Sequence, residues 1–203
     1  MIFNIIKKII FIFVFTFISN SYGNEDNSNR IELLVNENAI TKYDIVQRMK
    51  INSILKKVEI DENNYNQLIN AVIDDLILEI LKNKKINEFN INFDKDEFEI
   101  HEERFYSSIE YGKEDLKEIF LINNINYNYL VEFMETDLKW KKLIYGLYFR
   151  VTSVTKQEIT DLISKNPDIS EEMANDIILQ KQLELKSQKL LKDLRDEATI
   201  EYK

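Results

Sequence analysis

The stretch IELLVNENAITKYDIVQRM, Ile31 to Met49, sets a β-branched run against a polar turn and a helix start. Ile31 to Val35 reads as a strand, Asn36-Glu37-Asn38 as turn chemistry, and Thr41 with Asp44 three residues on as a capping box that uses the shorter acid. The helix that follows is predicted over about Lys42 to Lys57, with Ile45, Val46, Met49 and Ile54 facing inward. One such strand is not stable alone, so a distant segment must pair with it. Residues 198–203, ATIEYK, alternate β-branched or aromatic with charged residues, the pattern of a half-buried strand. Pairing Ile31–Val35 with Thr199–Tyr202 would clip the ends of a helical body together. The expected fold is therefore mainly α with a small two-stranded sheet, one domain over residues 31–203.

The rest of the chain supports the helical class. Three glycines and one proline are too few for a sandwich or barrel with many tight turns. Asp61 is the expected N-cap of a helix to about Lys85, whose Leu68, Ile69, Val72, Ile73, Leu76, Ile77, Ile80 and Leu81 mark it as the centre of the core. Asp94 caps a third helix through about Ser108, and Lys113 to Ile122 form a short fourth. From Tyr127 to about Arg150 a long helix carries Leu130, Met134, Leu138, Ile144, Tyr148 and Val151 down one face. Gly146 lies inside it, where a glycine costs about 1 kcal/mol against alanine, so a close packing contact is expected there. Thr155 and Glu158 cap a short helix that Asn166-Pro167-Asp168 stops. The last helix, about Glu171 to Arg195, sets Leu179, Leu183, Leu190, Leu191 and Leu194 against a charged face.

The first residues, MIFNIIKKIIFIFVFTFISNSYG, place Lys7 and Lys8 before an apolar run. That is the layout of a secretory signal peptide, with cleavage expected between Gly23 and Asn24 and a flexible leader over residues 24–30. The alternative is an uncleaved anchor spanning Ile2 to Ile18, which the two lysines disfavour. Losing those lysines takes the net charge from −9 to −11. Such an acidic chain is a poor partner for nucleic acid. The chain has no cysteine, so stability must come from packing rather than disulfides.

Catalytic constellations are scarce. The one histidine, His101, sits among acids with Glu97 four residues before it, and is expected as a surface residue salted by glutamates. Without cysteine partners it offers no zinc site of the histidine–thiolate kind. Asp74-Asp75 and Glu102-Glu103 are neighbours in sequence and so diverge on a helix. There is no phosphate-cradling glycine loop and no GxSxG elbow, and no cofactor is expected. The middle of the chain is instead dense in aromatics. Adjacent and near-adjacent pairs among them cannot all face inward, so part of the set should line an apolar groove. The candidate binding residues are Phe105, Tyr106, Tyr111, Phe120, Tyr129, Phe133, Tyr148 and Phe149.

Taken together, the signal peptide, Val35-Asn36, Ile40-Thr41, Asp44 and Arg48, then QLINAVIDDLILEILKNKKI at 67–86, resemble the N-terminal module of the SurA-type periplasmic chaperones. INYNYLVEFMETDLKWKKLI is similar to that family's long helix, VTKQEITDLI to the short helix after it, and LLKDLRDEATIEYK to its closing helix and strand. The resemblance implies a module that holds unfolded outer-membrane or exported polypeptides in the periplasm without stable membrane insertion. Family members carry parvulin-type isomerase domains between the last two of these segments. Here about five residues, Asn166 to Ser170, stand in that place, and nothing resembles the parvulin segments. The expected function is a non-catalytic holdase. The alternatives are a prolyl isomerase by family membership and an envelope adaptor with one folded partner.

Overall fold

A computed structural model describes residues 29–203. The expected signal peptide, its cleavage site at Gly23 and Asn24, and residues 24–28 of the leader lie outside the described residues. Arg30, expected in the flexible leader, is already engaged: its carbonyl accepts from the Lys42 amide (2.9 Å), and its guanidinium holds Glu32 (2.8 Å).

The elements are β1 (Ile31–Val35), β2 (Asn38–Thr41), α1 (Lys42–Lys56), α2 (Tyr65–Glu88), α3 (Lys95–Ser108), α4 (Lys113–Ile122) and α5 (Asn128–Tyr148). A 3₁₀ turn (Phe149–Val151), α6 (Lys156–Lys165), α7 (Glu171–Glu197) and β3 (Ile200–Tyr202) complete them. The fold is mainly α with a small antiparallel sheet in the order β2-β1-β3. The expected closure is present, with Leu33 opposite Tyr202, Leu34 opposite Glu201 and Val35 opposite Ile200. The sheet nevertheless has three strands rather than two. Asn38–Thr41, expected as turn and helix lead-in, folds back on β1 as a hairpin. Asn36 turns that hairpin at φ 55°, a left-handed conformation that asparagine tolerates well. The same residue locks the tail: its amide donates to the Thr199 carbonyl (2.7 Å), and its Oδ1 accepts from the Thr199 amide (3.1 Å).

Three apolar clusters hold the helices. The first joins Leu33, Val35 and Ile40 of the sheet to Ile45 and Met49 of α1 and to Val72, Leu76, Ile77 and Leu81 of α2, with Leu194 and Ile200 against it. The second joins Ile51 and Ile54 of α1 to Leu116 and Phe120 of α4 and to Leu130 and Met134 of α5. The third joins Ile86, Trp140, Leu143 and Ile144 to Leu183 of α7. Helix α2 enters the first and third clusters, which is why its apolar stripe is broad.

The capping boxes at Thr41/Asp44, Asp94/Glu97 and Thr155/Glu158 all form. Asp61 does not cap α2. Its carboxylate accepts from the amides of Asn63 and Asn64 (both 2.9 Å), making a turn that delays the helix to Tyr65. Gly146 does not serve close packing: a Cβ built there would meet nothing within 4 Å, so the glycine weakens α5 without a contact in return. Val151 leaves the apolar face of α5 because the helix tightens into the 3₁₀ turn before reaching it, and it is exposed.

Candidate functional site

Helices α3, α5 and α7 enclose a groove of about 560 Å³. Its apolar lining is Ile100 and Phe105 from α3, Phe133, Met134, Leu138, Trp140 and Ile144 from α5, and Leu183 from α7. Helical spacing explains the convergence: Glu97, His101, Phe105 and Ser108 repeat at four and three residues along α3, as Phe133, Asp137, Trp140 and Ile144 do along α5. Trp140 and Leu183 are fully packed floor, and the Trp140 indole donates to Ser187 Oγ (2.8 Å), fixing α5 against α7. The rim is open, with Ile100, Phe133 and Tyr145 exposed.

A second hollow of about 420 Å³ adjoins it between α1, α2 and α5, and Phe105, Phe133 and Asp137 line both. Its wall holds a buried ion pair: the Arg48 side chain, only 4% exposed, donates to Glu79 and lies 5.1 Å over the Phe133 ring. Arg48 thus supports the aromatic that divides the two hollows. Next to it Gln47, also buried, grips the α4–α5 loop from both ends of its amide, donating to the Asn124 carbonyl (3.2 Å) and accepting from the Asn126 amide (2.9 Å). Lys50 donates to the Asn123 carbonyl (3.0 Å) in the same loop, and burial lowers its pKa.

The eight candidate aromatics separate into groups. Phe105 and Phe133 line the groove, and Tyr129 lines the second hollow. The Tyr129 hydroxyl donates to Asp44 (2.7 Å), and burial followed by that carboxylate raises its pKa. Phe149 stacks on Tyr145 at 4.4 Å between centroids and so extends the rim at the end of α5. Tyr148 packs half-buried into the third cluster. Tyr106 and Tyr127 share a hydroxyl–hydroxyl bond beside the second cluster, and burial, then that bond, raises the Tyr106 pKa. Tyr111 lies half-buried under the Lys57 ammonium. Phe120 is fully buried, because its position on α4 points between α1 and α5; it is core and offers a ligand nothing.

At the rim Glu97, His101, Asp137 and Lys141 are engaged with one another or with Lys142. Glu97 binds Lys142 (2.6 Å), and that bond, with the Asp94 backbone amide, lowers its pKa. His101 differs from expectation: its partner is Asp137 across the groove wall (3.4 Å), not Glu97, and its side chain is 12% exposed rather than on the surface. Asp137 also binds Lys141 (2.7 Å). Burial, then Lys141, lowers the His101 pKa, leaving the ring neutral near pH 7. The paired acids elsewhere diverge as expected but are tied: Asp74 to Arg195 (2.6 Å), Asp75 to Asn52 (3.2 Å) and Glu102 to Lys113 (2.6 Å).

Sequence reasoning singled out Phe105, Tyr129 and Phe133 but missed Ile100, Asp137, Leu138 and Tyr145. Their signal was available in the four-residue repeats of α3 and α5. What it lacked was the rotation that turns those two stripes toward each other. The chain matches no family model and no curated protein. Among the described residues no helix is long and apolar enough to cross a membrane.

Proposed function

We propose that the protein is a non-catalytic holdase that keeps unfolded outer-membrane or exported polypeptides from aggregating in the periplasm. The groove between α3, α5 and α7 receives apolar segments of these clients. The observation that carries this reading is the groove itself: a packed apolar floor beneath an exposed rim of Ile100, Phe133 and Tyr145. Exposed apolar surface of this kind marks binding sites, and a wide open groove suits adaptable contacts better than a reaction needing fixed geometry. The rim charges favour the same reading, since Glu97, Asp137, Lys141 and Lys142 are paired with each other rather than aimed at a reacting atom. Likeness to the SurA-type module supplies the client class and the compartment.

The test is suppression of aggregation. A denatured β-barrel protein diluted with an equimolar amount of the chain starting at Asn24 should stay soluble, with turbidity reduced severalfold and no nucleotide required. Absence of any binding to unfolded barrel proteins would overturn the reading. Co-purification of one folded partner in its place would favour an adaptor.

A further inference from the structure

We propose that α3 is a hinged wall of the groove, and that protonation of His101 releases it from α5. Helix α3 contributes no buried residue, whereas its neighbour α5 contributes six. It leans on the second cluster through half-buried Phe98, Phe105 and Tyr106, and along the groove it meets α5 through a polar seam. The polar contacts of that seam are Glu97 with Lys142 and His101 with Asp137, while Glu102 with Lys113 ties the helix to α4 and the Tyr106–Tyr127 hydroxyl pair ties it to the residue before α5. A wall held in this way is the part of the groove that costs least to move.

The charges facing His101 set the direction of the switch. From its own helix Glu97 and Arg104 line the groove beside it; from α5 come Asp137 and Lys141, with Lys142 on Glu97; α7 lines the opposite wall with Gln180 and Ser187 and no titratable group. The two acids are each matched by a lysine, and Arg104 adds a further positive charge. A proton on His101 therefore enters a half-buried seam already carrying excess positive charge. The lowered pKa, due first to burial and then to Lys141, agrees with that sign. An imidazole whose folded pKa lies below its unfolded value of about 6.5 contributes docking stability that is fully present above that value. The contribution is lost as pH falls through the folded value, so acid opens the groove and neutral pH closes it.

This stands apart from the holdase reading, because α3 can move whether or not clients bind. The test is hydrogen exchange of the whole chain at about pH 7 and about pH 5, each corrected for intrinsic exchange, a window in which histidine is the group that titrates. Protection across residues 95–108 should fall severalfold in acid while α1 and α2 keep theirs. His101→Gln should remove the fall. Lys141→Gln, at an exposed position, should shrink it by freeing Asp137 to welcome the imidazolium. Unchanged protection of α3 in acid, or an equal fall in both variants, would overturn the proposal.

Discussion

A chain truncated after Glu197 should be about 3–5 kcal/mol less stable than the full chain, from the burial and backbone hydrogen bonds that the tail supplies. The six missing residues include β3, the Asn36–Thr199 double bond and the Lys203 amide that donates to the Glu32 carbonyl (2.9 Å). They also include Ala198 and Ile200, which pack on the first cluster. Leu33 and Val35, both fully buried in the whole chain, would be left beside an open strand edge. Urea unfolding measures the loss; an unchanged midpoint would mean that the hairpin β1–β2 is self-sufficient and the tail only decorates it.

Arg48→Ala should cost about 3 kcal/mol, because it leaves the largely buried Glu79 carboxylate without its counter-ion. The loss has a second consequence at the site. Phe133 loses the guanidinium stacked above it, so the ring dividing the two hollows is freed. Arg48→Met combined with Glu79→Leu should recover most of the stability, since an apolar pair of similar volume removes both the charge and its desolvation. Denaturant midpoints for the two variants decide this, and an Arg48→Ala chain as stable as the parent would show that water already screens the pair.

Features set by neighbours in sequence were legible. The capping boxes at Thr41 and Thr155 depend on residues three apart and the cap at Asp94 on one residue, and the helices α1, α3, α4 and α6 begin where those signals and the glycine break put them. Tail closure was legible too, because ATIEYK alternates directly after a long stretch of helical spacing and matches the strand pattern of Ile31–Val35. Strand β2 was not: Asn38–Thr41 is four residues with one apolar side chain facing inward, and its pairing with β1 hides beneath the cap signal of Thr41. Asp61 misled because an aspartate accepts two amides equally well in a turn and at a cap.

The site was legible by residue type but not by address. Phe105 and Phe133 meet across a groove only once α3 and α5 pack, and nothing near Phe120 in sequence distinguishes its buried face from theirs. His101 and Asp137 are brought together the same way. The residues from which a likeness to the SurA-type module was expected have structural duties: Val35 is core, Asn36 holds the tail, Thr41 and Asp44 cap α1, and Arg48 is in the buried pair. They bear on the fold. The groove supports a binding surface, and the class of client is taken from the proposed likeness.

Photo-cross-linking from single positions tests that groove most directly. A photoreactive residue at Ile100 or Tyr145, on the rim, should form adducts with an unfolded β-barrel chain, and the same residue at Leu121, exposed at 78% on α4 outside the groove, should not. Adducts from Leu121 as abundant as those from the rim, or none from Ile100 and Tyr145, would contradict a client site between α3, α5 and α7.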